Sequence, residues 1–261
     1  MHYDLYINGG YVRDSLMGIE SSDIDYTAVI RDAESYESAE DAFSEFVSAL
    51  KAEGYKVFLE TPSKFTVRAK RPSGPSSDGV YDFVLSRKES GFIKGTRSPE
   101  FVELGSLEDD LRRRDFTCNA LAQKVNDDGS LGPIIDMFDG VNHIKSKTLK
   151  TPISAEVSFN DDPLRILRAY RFSITKGFDI SPSINNSISK FNTERFIETI
   201  STERVREELY KMFMFNTYLS LSLMEGMRRL NPELHKYIFN DCGLKMIPTT
   251  KGVKHGKSNT V

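Results

Sequence analysis

The chain is organised around the stretch Gly9-Gly10-Tyr11-Val12-Arg13-Asp14, which runs on to Ser22-Asp23-Ile24-Asp25. Leu5-Tyr6-Ile7 predicts a strand that leads directly into the two glycines. Adjacent glycines let backbone N–H groups approach phosphate oxygens that a Cβ would exclude, and a helix N-terminus after them favours negative charge. Arg13 can add a bidentate contact to the same phosphates. The stretch therefore predicts a phosphate-binding turn built from Gly9, Gly10 and Arg13.

Asp23 and Asp25 stand two residues apart, where β-branched and aromatic residues predict a second strand over Asp25–Ile30. On a strand, the period of two places both carboxylates on one face. Paired carboxylates suit Mg²⁺, which takes carboxylate oxygens together with substrate phosphates. Asp23 and Asp25 are therefore the predicted catalytic metal ligands, and Mg²⁺ is the predicted cofactor. Together with the glycines they indicate a site for a metal-bound nucleoside triphosphate.

Asp82 lies inside the apolar strand predicted at Val80–Leu85, where a carboxylate is costly unless it is paired or bound to metal. It is a candidate third catalytic carboxylate near Asp23 and Asp25. The alternative is an outward-facing residue on an edge strand. The sequence alone leaves both open.

The composition restricts the class of protein. A chain of 261 residues, 39% hydrophobic and 28% charged, is typical of a soluble protein with one large domain or two smaller ones. The net charge of −3 provides no global basic surface, so RNA binding would have to use local patches. Two cysteines form neither a disulfide framework nor a zinc cluster. With no membrane-spanning run and no signal-peptide pattern, we expect a cytoplasmic protein without a membrane partner.

The pattern mixes strands and helices up to about residue 150 and is helical beyond residue 155. Strands are predicted at residues 25–30, 55–59, 64–69 and 80–85, helices at residues 34–53, 107–123, 202–213 and 217–230, a flexible loop at residues 71–79 and irregular structure at residues 86–106. We therefore expect an α+β fold. A small mixed sheet with flanking helices would form a head over residues 1–150. An all-helical neck and short partial body would follow over residues 151–250, then a disordered basic tail over residues 251–261.

Residues 111–120 carry three successive arginines followed by an aspartate and an asparagine. Arg114 could neutralise a triphosphate, and Asp115 could accept a hydrogen bond from a ribose hydroxyl. Asn119 would lie one turn further along the same face of the predicted helix. The alternative is a solvated charged helix, and the composition favours neither.

A stripe of arginines follows Asp161-Asp162-Pro163, which predicts the start of a helix. At about 100° per residue, Arg165, Arg168 and Arg171 fall within an arc of about 120°. Apolar residues occupy most of the remaining surface. Such a stripe requires an anionic or hydrogen-bonding partner, either a ligand or, in the structural alternative, carboxylates of the head.

These stretches, taken in order, resemble the class II tRNA nucleotidyltransferase and bacterial poly(A) polymerase family, within the polymerase-β-like nucleotidyltransferases. The resemblance covers roughly residues 5–215. Residues 9–14, together with Asp23 and Asp25, resemble the first motif of the family, and residues 111–122 resemble the second. Residues 161–165, together with Arg168 and Arg171, resemble the base-selecting motif, and residues 203–209 resemble the helix that supports it.

The resemblance implies a polymerase-β-like head that adds CCA to the 3′ end of tRNA from CTP and ATP, without a template. It implies two Mg²⁺ ions on Asp23 and Asp25, which activate the RNA 3′ hydroxyl for attack on the α-phosphate. Asp162 and Arg165 would present hydrogen-bonding edges to the incoming base. The other implied nucleotide contacts are Gly9, Gly10, Arg13 and Arg114 to the triphosphate, Asp115 or Asn119 to the ribose, and further contacts from Arg168 and Arg171.

Several features depart from the family pattern. Asp161 stands where the family usually has a glutamate, and residues 136–140, Asp-Met-Phe-Asp-Gly, differ from its usual hinge segment. A poly(A) polymerase or a partial CC- or A-adding enzyme is an alternative, because the same motifs serve all of them. A non-catalytic RNA- or nucleotide-binding protein is the alternative from another class, and the retention of both Asp23 and Asp25 argues against it. The oligomeric state is not predicted.

Overall fold

The computed structural model describes residues 2–21, 24–70, 79–93, 96 and 99–242. Within these ranges the chain forms a mixed sheet with flanking helices, followed by a helical region. The predicted α+β fold class is therefore confirmed. In the part of the chain that the structure describes, no helix is both long and apolar enough to cross a membrane. Most of the predicted loop at residues 71–79 and the whole predicted tail lie outside the described residues.

Seven strands form the main sheet, in the spatial order β3-β4-β5-β2-β1-β8-β9. β2 and β5 are parallel, and all other neighbours in this sheet are antiparallel. β6 and β7 form a separate hairpin, and β10 and β11 form a short pair. The bounds of the strands are β1 (Tyr3–Asn8), β2 (Asp25–Ile30), β3 (Lys56–Thr61), β4 (Thr66–Lys70), β5 (Val80–Leu85), β6 (Arg87–Phe92), β7 (Pro99–Leu104), β8 (Leu121–Val125), β9 (Leu131–Asp136), β10 (Thr148–Leu149) and β11 (Asp179–Ile180).

Helices flank the sheet and make up most of the chain after residue 150, which we call the neck, in contrast to the head before it. They are α1 (Gly10–Leu16), α2 (Ala39–Ala52), α3 (Leu107–Arg112), α4 (Gly140–Lys145), α5 (Ala155–Asp161), α6 (Leu164–Lys176), α7 (Pro182–Lys190), α8 (Thr193–Thr199), α9 (Thr202–Phe215), α10 (Thr217–Leu230) and α11 (Pro232–Lys236). α10 has the predicted bounds. α6 begins after Pro163, and Asp161 ends α5 instead of starting the next helix.

The predicted single helix over residues 107–123 is wrong. Ser106 caps α3 as expected, through a capping box with Asp109, but the helix ends at Arg112. After a 3₁₀ turn at Thr117–Asn119, the chain enters β8. β8 pairs with β1 on one side and β9 on the other, and its first residues are fully buried. Tertiary pairing thus overrides the local helix propensity of this segment.

The prediction of irregular structure at residues 86–106 is also wrong. β6 and β7 form an antiparallel hairpin in which Arg87 is paired with Leu104 and Phe92 with Pro99. Polar residues on both strands hide the alternation from which a strand is recognised in the sequence. The helix predicted from residue 34 begins at Ala39, because the Ser38 side chain accepts a hydrogen bond from the Asp41 N–H and caps it there.

Two hydrophobic cores position the functional residues. One lies between α2 and the sheet, where Phe43, Phe46 and Phe83 are buried. The other is continuous from the head into the neck: it includes Val12 of α1 and Phe116, and extends through α6 to the last helices. The ring of Phe116 packs against that of Phe172, with centroids 5.3 Å apart. α6 is therefore held against the head by apolar contacts.

Replacing Phe116 with Ala should lower the free energy of unfolding by about 3–5 kcal/mol, because it opens a cavity where the head meets α6. Urea denaturation followed by circular dichroism measures the change. Phe58→Ala is the matched control, since Phe58 is 52% exposed, and it should cost less than about 1 kcal/mol. Equal losses in the two variants would contradict a shared core between head and neck.

Candidate active site

Two of the predicted carboxylates, those of Asp25 and Asp82, lie near the predicted glycines at one end of the main sheet. β1 ends at Asn8, opposite Asp25 at the start of β2, and Asp25 is in parallel register with Asp82 of β5. Residues paired in register on adjacent strands lie on the same face. The carboxylates of Asp25 and Asp82 are therefore neighbours, next to the turn that follows Asn8. Asp23 lies outside the described residues.

Asp82 is a paired carboxylate on an interior strand. β5 lies between β4 and β2, so the edge-strand alternative is wrong. Arg68 of β4 donates from Nε to Asp82 Oδ1 at 2.7 Å and from Nη2 to Oδ2 at 3.1 Å. Among the residues that the structure describes, no group of three or more His, Cys, Asp or Glu side chains could hold a metal ion. The described carboxylates of the predicted metal site are thus Asp25 and Asp82.

Gly9 is the tightest point of the turn. Its φ of 69° lies in the left-handed region that favours glycine. A Cβ on Gly9 would lie 2.8 Å from Nη1 of Arg114, and one on Gly10 would lie 3.5 Å from Nη2 of Arg13. The structure therefore brings both predicted arginines to the glycines. We call Gly9, Gly10, Arg13 and Arg114 the phosphate cluster.

Arg13 is buried and held on three sides. Its Nε and Nη2 donate to the two carboxylate oxygens of Asp14 at 2.8 Å each, and its Nη1 donates to Asn119 Oδ1 at 2.5 Å. The guanidinium carbon lies 5.2 Å from the centre of the Phe172 ring, within range of a cation–π interaction. The position of Arg13 is therefore determined before any ligand binds.

Asp110 orients Arg114, and sequence reasoning missed this role. Its side chain is fully buried and accepts from Arg114 Nη2 at 3.0 Å and from Arg113 Nε at 3.0 Å. Burial by itself raises the pKa of the Asp110 carboxyl, but the two guanidinium groups outweigh burial and lower that pKa to about 2. The spacing of four residues between Asp110 and Arg114 was an available signal, since such residues are neighbours on a helix.

Asp115 binds protein groups with both of its oxygens. Oδ1 accepts from the Phe116 N–H and from Asn119 Nδ2, both at 2.8 Å, and Oδ2 accepts from Arg168 Nε at 2.8 Å. Burial opposes ionisation, but Arg168 and Asn119 lower the pKa of Asp115 to about 2. Asp115 and Asn119 were expected one turn apart on a helix. They meet instead across a 3₁₀ turn.

The arginine stripe of α6 contacts protein carboxylates. Arg168 pairs with Asp115 of the head, as the structural alternative predicted. Arg171 donates from Nε to Glu208 Oε2 at 2.5 Å, and Arg168 Nη1 lies 3.9 Å from Glu208 Oε1. Glu208 is buried on α9, within residues 203–209, which resemble the helix that supports the base-selecting motif, although the sequence did not single out this residue. The structure therefore shows a framework role for Arg168 and Arg171.

Arg165 and Asp162 line a cleft of about 500 Å³ between the neck and the β6–β7 hairpin. We call it the base cleft; Asp161, Arg113 and Glu89 also line it. Arg165 is fixed by donation from Nη1 to Ser158 Oγ at 2.8 Å and from Nη2 to the Arg113 carbonyl at 2.5 Å. Asp162 Oδ1 accepts from the Leu164 N–H at 3.1 Å. Burial raises the pKa of Asp161.

Two family models match the chain. Residues 5–150 match the model of the Poly A polymerase head domain, and residues 177–238 match that of the probable RNA- and SrmB-binding site of polymerase A. The first match covers more than half of the chain. The chain belongs to the Poly A polymerase head domain family. The family resemblance found in the sequence is thereby confirmed.

Curated relatives of this polymerase-head protein are CCA-adding enzymes. That of Leuconostoc citreum is 34% identical over 221 residues, which are 85% of this chain and 48% of the relative. That of Lactococcus lactis subsp. lactis is 32% identical over 255 residues, which are 96% of this chain and 56% of the relative. This head-domain family member therefore spans about half the length of the curated relatives it matches.

Solved CCA-adding enzymes share the fold of this polymerase-head protein. The Bacillus stearothermophilus enzyme in complex with CTP matches with a TM-score of 0.67 and 28% identity, over 89% of this chain and 50% of that one. The Thermotoga maritima enzyme complexed with tRNA matches with a TM-score of 0.64 and 26% identity, over 88% of this chain and 49% of that one. The nucleotidyltransferase head and the following helices are common to all three.

Replacing Asp110 with Asn should lower the free energy of unfolding at neutral pH by about 2–3 kcal/mol, since Arg113 and Arg114 would lose their buried counter-charge. The folded pKa of Asp110 is about 2, below the value of ~3.9 for an unfolded aspartate. Its stabilisation is therefore complete above about pH 4 and is lost as the pH falls through about pH 2.

Urea denaturation at a series of pH values should accordingly show a shallower acid-side decline in the Asp110→Asn variant than in the wild type. Asp127→Asn, at an exposed position, is the matched control and should change stability by less than about 0.5 kcal/mol. A wild-type pH profile in Asp110→Asn would contradict the ion pairs assigned to Asp110.

Proposed function

We propose that this chain is a template-independent RNA nucleotidyltransferase that adds CCA to the 3′ ends of tRNA from CTP and ATP. The observation that carries the proposal is the direct link between the base cleft and the phosphate cluster. Arg165 of the cleft donates to the carbonyl of Arg113, the residue before Arg114. One nucleotide can therefore place its base at Asp162 and Arg165 and its triphosphate at the cluster. Similarity to CCA-adding enzymes, one in complex with CTP and another with tRNA, supports this function.

The phosphate cluster would bind the triphosphate. Guanidinium groups bind phosphate oxygens in a bidentate manner, and Arg13 and Arg114 each have a carboxylate, Asp14 or Asp110, that orients them beforehand. The Nε of Arg114 is buried, and within the described residues it has no hydrogen-bond partner.

Asp23 and Asp25 are the proposed ligands of two Mg²⁺ ions, with Asp82 as a third carboxylate of the site. The register of Asp25 with Asp82 supports this assignment, because it places carboxylate oxygens, the donors that Mg²⁺ prefers, side by side. Arg68 orients Asp82. When bound, Mg²⁺ supplies positive charge that favours ionisation of the RNA 3′ hydroxyl and stabilises the leaving pyrophosphate.

The proposed reaction is an in-line displacement. The 3′ oxygen of the RNA forms a bond to the α-phosphorus, the bond from that phosphorus to the pyrophosphate oxygen breaks, and the hydroxyl proton is released to solvent. The phosphate cluster holds the triphosphate in place. Asp162 and Arg165 together provide the acceptor and donor groups that imitate a Watson–Crick edge, so protein replaces a template.

Asp115, Asn119, Arg168 and Arg171 are proposed to contribute to nucleotide binding through the residues that they orient. Asn119 holds Arg13, and Asp115 holds both Asn119 and Arg168. A direct contact of these groups with ribose would require an exchange of the partners that they have here. The proposed catalytic unit is the head, residues 1–150, with the neck supplying base selection, and the proposed location is the cytoplasm.

A poly(A) polymerase, or a partial CC- or A-adding enzyme, is the second candidate. The matched family is described by the name of poly(A) polymerase, and the same phosphate cluster would serve either activity. A non-catalytic binding protein is disfavoured, because simple binding does not require carboxylates placed side by side on adjacent strands.

Asp25→Asn should reduce nucleotide transfer by more than about 100-fold, because it removes a charged ligand of the proposed metal site. The assay supplies each labelled triphosphate with Mg²⁺ to tRNAs that end before CCA, after C and after CC, and to an unrelated RNA. Asp4→Asn is the matched control. Asp4 lies on β1, away from the glycine turn, and its carboxylate pairs with Arg31 and Lys124. Undiminished transfer by Asp25→Asn, or A-tails on the unrelated RNA, would refute the proposed reaction.

Arg165→Ala should weaken the discrimination between CTP and ATP at each position by about 1–3 kcal/mol, since it removes half of the hydrogen-bonding edge. Misincorporation on the three tRNAs measures this loss. Arg228→Ala removes an arginine from an exposed pair with Glu225 and should leave the selection unchanged. If Arg165→Ala selects as the wild type does, the base cleft does not choose the nucleotide.

A further inference from the structure

Lys176, the last residue of α6, makes a second junction between the neck and the phosphate cluster. Its Nζ lies 3.0 Å from Oδ1 of Asp14, the carboxylate that also accepts Nε and Nη2 of Arg13 at 2.8 Å each. The side chain of Lys176 is 21% exposed, that of Asp14 is 10% exposed and that of Arg13 is 8% exposed. Two cations therefore share one carboxylate in a largely buried position.

The geometry of α6 explains why a neck residue reaches this place. Lys176 stands eleven positions after Arg165. At about 100° per residue this spacing corresponds to about three turns, so both side chains lie on the same face of the helix. Arg165 contacts the head at the Arg113 carbonyl, and Lys176 contacts it at Asp14. One face of α6 thus contacts the base cleft at its start and the phosphate cluster at its end.

Charge determines what Lys176 contributes. If Arg13 and Asp14 were alone, the bidentate pair would be neutral, and the carboxylate would compete with phosphate for the guanidinium. With Lys176 present, the group of three has a formal net charge of +1. Because the group is shielded from solvent, this charge is screened less than that of a surface lysine. The site then offers a net positive charge to an anionic ligand.

We propose that Lys176 is a positioning residue for the nucleotide triphosphate, which acts by sharing Asp14 and so leaves the charge of Arg13 available to phosphate. The inference rests on the proposed function, since it assumes that Arg13 binds the triphosphate. Lys176 itself does not touch the substrate. Its effect is on the affinity for the triphosphate of CTP and of ATP alike, and not on the choice of base.

Lys176→Met retains the length of the side chain and removes the charge. It should raise KM for both CTP and ATP about 5- to 20-fold with little change in kcat, because a contact present in both ground state and transition state is weakened. The KM should also depend less steeply on salt than in the wild type. Lys176→Arg retains the cation and should restore the wild-type KM.

Lys51→Met is the matched control. Lys51 forms an exposed pair with Glu60 at 2.9 Å on the far side of the head, so the same substitution there should leave KM unchanged. Thermal unfolding of each variant separates an effect on affinity from an effect on folding. A lower Tm for Lys176→Met with unchanged KM would mean that the ion pair is only structural, and this would overturn the proposal.

The double variant Lys176→Met/Asp14→Asn tests the mechanism. Removing the carboxylate together with the lysine returns the group to a net charge of +1 on Arg13. If Lys176 acts through Asp14, the double variant should bind the triphosphate about as well as Asp14→Asn alone, a non-additive result. If Lys176 bound the triphosphate directly, the double variant would bind more weakly than Asp14→Asn by the factor that Lys176→Met loses, and the proposed positioning role would be wrong.

Calorimetry that measures the binding of CTP, of ATP and of inorganic tripolyphosphate as a base-free probe tests the role of Lys176 separately from the proposed function. Tripolyphosphate should lose the same factor in affinity as the nucleotides on Lys176→Met. Wild-type protein that binds and transfers nucleotides, with a Lys176→Met variant that behaves identically, would refute only the role of Lys176. Wild-type protein that binds none of the three ligands would refute the proposed function, and the role of Lys176 with it.

Discussion

The central interaction of the structure is the ion pair between the buried carboxylate of Asp115 and the partly exposed guanidinium of Arg168. A carboxylate in this position is costly unless each oxygen is satisfied, and the charge that satisfies Asp115 comes from α6, 53 residues away. The charge of Asp115 in the head is therefore balanced by Arg168 only when α6 of the neck lies against the head. Packing of Phe116 on Phe172 reinforces the same junction with apolar contact. The ion pair and the ring packing together hold the neck against the head.

The ion pairs extend from this junction to the ligand-binding groups. Asp115 holds Asn119, Asn119 holds Arg13, and Arg13 shares Asp14 with Lys176 of the same helix that supplies Arg168. A displacement of α6 would thus move the end of the helix that carries Arg165 and the support of the phosphate cluster together. Preorganised charges of this kind bind a triphosphate without paying for reorientation at the moment of binding.

Local patterns predicted the elements that local forces determine. The strand Asp25–Ile30 and the helix Thr217–Leu230 follow from side-chain periodicity, and the glycine turn follows from the steric needs of its backbone. The segment after Arg112 and the β6–β7 hairpin were predicted wrongly. The first is stabilised by the pairing of β8 with the distant β1, which no periodicity within the segment records. The second is a hairpin of consecutive strands whose polar residues leave no alternation to recognise.

Adjacent glycines, closely spaced aspartates and a stripe of arginines on one helix are visible in the sequence without any structure. The binding partner of each arginine, in contrast, follows from the folded arrangement. Arg168 and Arg171 meet the buried carboxylates of Asp115 and Glu208, whereas Arg114 retains a buried donor without a protein partner in the described chain. The role of a guanidinium depends on which acceptor lies within hydrogen-bond reach. For Arg168 and Arg171 that acceptor is 53 and 37 residues away in the sequence, a distance that only folding closes.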